Sequence, residues 1–268
     1  MNQEIFAPAI VVFDIDGVVR DVSGSYRRAL ADTVEQFTAQ AYRPTADDID
    51  RLKSEGVWNN DWEGSQELIY RYFETQGKSR EQVKLDYNSI VDFFQSRYRG
   101  SDPNNLTGYI CDEPLLLQPS YLNELTEAGI LWGFFSGATR ASATYVLQQR
   151  LSLESPVLIA MEDAPGKPDP TGLFSTLELL KNDVDNIKNF PPVIYVGDTV
   201  ADMFTVEKAR NIQPNSNWIG VGVLPPHVQE PVQKRQAYTE SLKKAGATIV
   251  LSNVEELTPK KIEELVNG

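Results

Sequence analysis

The reading turns on one stretch, Ala9-Ile10-Val11-Val12-Phe13-Asp14-Ile15-Asp16-Gly17-Val18. Residues 9–13 form a short uninterrupted apolar run that is rich in β-branched side chains. A run of that length without alternation predicts a strand buried on both faces, as in a parallel sheet covered by helices. It ends in two carboxylates two positions apart, followed by a glycine. At the carboxyl end of a strand such a pair faces one crevice, and glycine lets the backbone turn without a side chain in the way. Asp and Gly are also ordinary turn formers, so this stretch alone leaves a plain turn open.

Working outward, apolar runs of the same kind recur at 130–135, 156–160, 193–196, 218–223 and 248–251. Helix-like stretches at 119–128, 140–150, 170–181, 201–210 and 231–244 lie between and around them. Strand alternating with helix predicts βαβ units and an α/β fold, a Rossmann-like doubly wound parallel sheet. Residues 24–95 break the rhythm. There Ala29, Val34 and Phe37, then Leu68, Ile69, Tyr72 and Phe73, then Val83, Tyr87, Ile90 and Phe94 recur at three and four. That is helical spacing. The expected organisation is a core of 1–20 and 110–268, with a smaller helical domain, 21–109, inserted after the first strand.

Three further segments close predicted strands. Ser136-Gly137 follows the second, where a hydroxyl and the N–H groups of a helix start suit a phosphate oxygen; a plain Ser-Gly turn is the simpler alternative. Gly166-Lys167-Pro168 follows the third, and its lysine is either a fixed cation or a solvated surface charge. Gly197-Asp198-Thr199-Val200-Ala201-Asp202 follows the fourth, with its two aspartates one helical turn apart. Capping by Asp198 and a surface Asp202 would be the plain reading. Four such signals in order at successive strand ends fall along the sheet edge where ligands bind.

Asp14, Asp16, Asp198 and Asp202 in one crevice would repel one another and raise one another's pKa. A divalent cation resolves that, and all-oxygen ligands select a hard ion such as Mg²⁺. A phosphate dianion would then face the cation, Lys167, the Ser136 hydroxyl and backbone N–H groups.

Composition narrows the alternatives. Of 268 residues, 41% are hydrophobic and 24% charged, ordinary for a globular chain. The net charge of −13 without a dense basic run argues against nucleic acid and anionic membranes as partners. No apolar run reaches the roughly 20 residues of a membrane span, and the N-terminus reads as carrying no secretory signal. The single cysteine, Cys111, excludes an internal disulfide and points to a reducing, cytoplasmic setting. The single histidine, His227, sits in a proline-flanked loop, which disfavours imidazole-based nucleophilic catalysis.

The set Asp14-x-Asp16-Gly17-Val18, Ser136-Gly137, Lys167-Pro168 and Gly197-Asp198-x-x-x-Asp202 resembles the signature of the haloacid dehalogenase superfamily. The position of the helical insert resembles the subfamily with an α-helical cap there. The resemblance implies a phosphomonoester hydrolase in which Asp14 attacks phosphorus and becomes an aspartyl-phosphate. Asp16 would protonate the leaving oxygen and then activate water. Asp14, the Asp16 carbonyl and Asp198 would hold Mg²⁺, with Asp202 acting through water, and Ser136, Gly137 and Lys167 would bind the phosphoryl group. The cap would close over the site and exclude water.

The implied partner is a small phosphorylated metabolite, a sugar phosphate or small phosphorylated acid. Dehalogenases of the superfamily lack the second aspartate, present here as Asp16. Its sugar phosphomutases carry a histidine where this chain has Tyr26. A phosphomutase or phosphotransferase, or a non-catalytic phosphate-binding scaffold, are the competing readings. For specificity the candidates are Arg20, Trp58, Asn59 and Arg140. Trp58 and Asn59 either shape a polar pocket or serve packing and turn formation; the arginines either meet a second anionic group or form surface ion pairs.

Overall fold

The computed structural model describes residues 7–58, 60–102, 105–182 and 191–268. Its core is one parallel sheet of β1 (Ile10–Phe13), β2 (Leu131–Phe135), β3 (Leu158–Ile159), β4 (Val193–Gly197), β5 (Trp218–Val223) and β6 (Ile249–Leu251), in the order β3-β2-β1-β4-β5-β6. All four residues of β1 are wholly buried, each burial being worth roughly 1.5–3 kcal/mol. Phe13 stands opposite Phe134 on one side and Val196 on the other. The strand expected to carry the first two aspartates is therefore central, and the ends of β2 and β4 flank them.

Alternation along β1 decides which layer each residue meets. Val11 and Phe13 pack with Tyr121, Leu122, Leu125 and Ile262, while Ile10 and Val12 pack with Leu173, Leu177 and Val206. Helices thus cover both faces, as a doubly wound sheet requires.

The chain forms two compact units, one of Met1–Asp21 with Leu115–Gly268 and one of Val22–Pro114. The second holds α1 (Tyr26–Phe37), α2 (Ala46–Ser54), α3 (Asp61–Thr75) and α4 (Tyr87–Tyr98). Each start after the first carries a side-chain cap: Thr45 with Asp48 as a capping box, Asn60, and Asp86. The second unit extends five residues past the expected limit of 109, for a local reason. Tyr109 donates to Asp32 Oδ2 at 2.6 Å and the Ser25 hydroxyl donates to buried Glu113, so residues 109–113 are tied to the helices.

The first unit adds α5 (Pro119–Glu127), α6 (Arg140–Thr144), α7 (Thr171–Asn182), α8 (Val200–Ile212), α9 (Val232–Lys244) and α10 (Pro259–Asn267). Two expectations change here. The helix expected over 140–150 widens into π-type turns at Tyr145–Arg150, closed by the Leu151 amide on the Val146 carbonyl at 3.0 Å. The strand expected over 156–160 shortens to two residues, because Pro156 lacks a donor and the Ala160 amide turns to Asp163 at 2.7 Å. Among the described residues no helix is long and apolar enough to cross a membrane.

Candidate active site

Asp14 is the first residue beyond β1, and its amide donates to the Val196 carbonyl at 2.8 Å, so it is pinned to the end of β4. Asp198 and Asp202 come from the turn after β4 and the first turn of α8. One carboxylate oxygen from each of Asp14, Asp198 and Asp202 lies within 4.8 Å of the others. Two glycines allow this crowding. Gly17 has φ +77°, and a β-carbon there would stand 2.2 Å from Asp198 Oδ2; one on Gly197 would stand 2.3 Å from the Asp202 β-carbon.

Lys167 joins the cluster from the loop after β3. Its Nζ is 2.7 Å from Asp14 Oδ1 and 2.7 Å from Asp202 Oδ1, over the rings of Phe135 and Tyr195 at 5.3 and 5.5 Å. Burial alone would lower the lysine's pKa, but the Asp14 and Asp202 carboxylates outweigh it and hold Lys167 charged.

The aspartates do not respond alike. Burial, with Asp202 and Asp16 adding to it against Lys167, raises Asp14 to about 7. Burial and then the charges of Asp202 and Asp14 push Asp198 well above the usual range. Asp202 goes the other way, correcting the expectation of a uniform rise. Burial would raise it, but Lys167 and Thr199 pull it down. Its Oδ1 accepts from Lys167 and from the Tyr195 hydroxyl at 3.1 Å; its Oδ2 accepts from the Thr199 amide at 2.9 Å and hydroxyl at 2.6 Å. With both oxygens engaged, Asp202 orients Lys167, while Asp14 and Asp198 are the raised pair that a cation would discharge. Three hard oxygen donors at this spacing fit a divalent metal ion.

Asp16 stands apart from that trio. Its Oδ1 takes Nε and Nη2 of Arg20 at 2.7 and 2.6 Å. Arg20, expected to meet substrate or to form a surface ion pair, pairs with Asp16 while its own side chain is wholly buried. Ser136 is buried at the end of β2, its hydroxyl oxygen accepting from the Ala138 amide at 3.1 Å, and Gly137 beside it is exposed with open space around it. The start of α6 is less available to an anion than expected. The Arg140 amide donates to Glu162 Oε2 at 2.8 Å, and Thr139 caps the helix through the Ser142 amide. The half-exposed Arg140 guanidinium pairs with Asp163, a surface ion pair being one of the two alternatives expected of it.

Trp58, in the helical unit, donates its indole N–H to Glu55 Oε2 at 2.8 Å, and Glu55 is itself gripped by Arg71. Asn59 lies outside the described residues.

Three residues were not foreseen. Tyr195 and Thr199 hold Asp202, and Tyr238 of α9 donates to the Asp198 carbonyl at 3.0 Å. Thr199-x-x-Asp202 is a legible capping-box spacing, and a tyrosine in a buried central strand signals a partnered hydroxyl. Tyr238 left no comparable signal.

A family model described as haloacid dehalogenase-like hydrolase matches residues 8–210. A phosphatase from Thermococcus thioreducens, Tt82, superposes with a TM-score of 0.62 at 22% identity, covering 80% of this chain and 92% of that one. A β-phosphoglucomutase from Pyrococcus sp. strain ST 04 gives 0.58 at 15%, covering 97% and 99%. CbbY from Rhodobacter sphaeroides, solved in complex with phosphate, gives 0.57 at 16%, covering 94% and 96%. In sequence, an imidazoleglycerol-phosphate dehydratase of Phytophthora nicotianae is 28% identical over 249 residues, 90% of this chain and 50% of that protein. The chain thus spans about half the length of that curated relative.

Proposed function

The chain belongs to the haloacid dehalogenase-like hydrolases, and from that premise we propose that it hydrolyses a small phosphomonoester through a phosphorylated Asp14. The observation that carries this reading is the buried cluster of Asp14, Lys167, Asp198 and Asp202 at the C-terminal edge of the sheet.

A carboxylate attacking a phosphate dianion meets strong repulsion, and the arrangement supports a way round it. Lys167 sits against Asp14 and offers its charge to the phosphoryl oxygens. Asp14 attacks phosphorus while Asp16 gives a proton to the leaving oxygen; Asp16 then takes a proton from the water that splits the acyl-phosphate. Asp14, Asp198 and the Asp16 carbonyl would hold a hard divalent cation, Mg²⁺ best among them. When bound, that ion offsets the charge of nucleophile and substrate. Ser136 and Gly137 complete the phosphoryl pocket.

The first substrate class to test carries an imidazole beside the phosphoester. About half of a protein named for dehydrating an imidazole-bearing glycerol phosphate resembles this chain; a phosphatase joined to such an activity would meet related compounds. A second reading is a phosphomutase, favoured by the similarity to a β-phosphoglucomutase structure. Against it stands Tyr26, stacked on Tyr98 with ring centroids 4.1 Å apart, where that reading wants an imidazole.

The test is phosphate release from p-nitrophenyl phosphate and from a panel of phosphorylated metabolites, with and without Mg²⁺, by wild type and Asp14→Asn. Turnover lost in Asp14→Asn supports the reading, and turnover by neither protein sinks it. Isomer interconversion faster than hydrolysis transfers the assignment to a mutase.

A further inference from the structure

We propose that Arg20 is a positioning residue that aims the Asp16 carboxyl for proton transfer, a role that rests on the phosphatase reading. The Arg20 side chain is wholly buried, as are its chain neighbours Ile15, Val18 and Val19. A guanidinium in such surroundings is costly unless it is paired, and a side chain needed only for volume would be another aliphatic one. Asp16 is a partner of that charge. Nε and Nη2 converge on one oxygen, Oδ1, at 2.7 and 2.6 Å.

The backbone fixes where that guanidinium starts. The Arg20 carbonyl accepts from the Gly17 amide at 2.8 Å, and its own amide donates to the Ile15 carbonyl at 3.2 Å. Arg20 also bridges Leu115, and the Val19 carbonyl accepts from the Leu116 amide at 2.8 Å. The turn is closed on itself and laced to the returning strand of chain.

Asp16 needs such a hold. Its side chain is 27% exposed, against 7% for Asp14, and the terminal torsion of an aspartate is soft. Anchoring Oδ1 leaves Oδ2 as the oxygen that works. In the first step the ester P–O bond breaks as the phosphoryl group passes to Asp14, and the Asp16 Oδ2 proton goes to the leaving oxygen. In the second, water forms the new P–O bond, the Asp14–phosphorus link breaks, and a proton returns to Oδ2. Arginine suits the post because it does not give up its own proton.

The experiment compares kcat/KM for an alkyl ester, glycerol 2-phosphate, and an aryl ester, p-nitrophenyl phosphate. The alkoxide needs a proton to leave; the nitrophenolate barely does. Arg20→Met should lower the alkyl value at least about tenfold further than the aryl value, part of the 10²–10⁴ that a placed acid supplies. Arg20→Lys, keeping charge without the fork, should restore part of the ratio, and it serves as the test should Arg20→Met fail to fold. In an Asp16→Asn background, Arg20→Met should change the ratio no further. Equal losses on both esters, or a further change in the Asp16→Asn background, overturn this role alone. Hydrolysis of neither ester by wild type overturns the phosphatase reading and this role with it.

Discussion

Lys167 Nζ lies 2.7 Å from Asp14 Oδ1 in a pair almost closed to solvent. The same ammonium reaches Asp202 at 2.7 Å, and Asp198 stands beside both carboxylates. One cation therefore serves three buried or half-buried acids. Burial first, and then that imbalance, raises Asp14 to about 7 and Asp198 well above the ordinary range.

Removing the charge of Asp14, the proposed nucleophile, separates chemistry from stability. Asp14→Asn should cut phosphate release by at least about a thousandfold. It should also raise the melting temperature of the metal-free protein at pH 8, because one of the crowded charges is gone. A melting temperature that falls there would mean the Lys167 ion pair outweighs the repulsion.

The pH dependence follows from Asp14. Burial raises its folded pKa to about 7, above the ordinary 3.8, so the folded chain holds a proton more tightly than the unfolded chain. The sign is then fixed. This contribution to stability is complete below pH 3.8 and is lost as pH rises toward and through 7. Melting curves in a chelator should show that decline, and Mg²⁺ should oppose it, by about 2.7 kcal/mol at a hundred times its dissociation constant. A magnesium-independent melting temperature at pH 8 would remove the cation from the site.

Tyr195→Phe deletes one hydroxyl that reaches Asp202 at 3.1 Å. The expected cost is about 1 kcal/mol in denaturant unfolding. A severalfold fall in kcat with little change in KM should accompany it, because Lys167 loses part of its support. An unchanged kcat would reduce Tyr195 to a packing residue.

Gly17→Ala should harm the site more than the fold. The left-handed backbone costs a substituted residue roughly 1–2 kcal/mol, and the new methyl group would overlap Asp198. The Mg²⁺ concentration for half-maximal activity should rise about tenfold or more; no change would show that Asp198 is not a ligand.

Much of this is legible in the sequence. The aspartates and Lys167 sit at strand ends, and strand ends are marked by where apolar runs stop, as at Phe13 and Val196. Partnerships were not legible. Tyr195 sits inside the run 193–196 and reads as core, because nothing local says that its hydroxyl meets a residue on the next helix. Arg20 reads as a surface cation, since nothing local announces that its side chain is wholly buried and paired with Asp16. The exit from the helical unit was placed at 109 instead of 114 for the same reason: Tyr109 and Glu113 are committed to Asp32 and Ser25, contacts that no periodicity encodes.

The direct pairing of β1 with β4 also has a consequence for biosynthesis. Asp14 emerges from the ribosome early, yet its amide is bonded to Val196 and its neighbours in the cluster arrive only with Asp198 and Asp202. Such distant pairing makes closure of the sheet late and slow relative to helix formation. A nascent or truncated chain lacking β4 carries Asp14 without Asp198 and Asp202, so on the proposed reading it stays chemically silent until β4 and the start of α8 have been made.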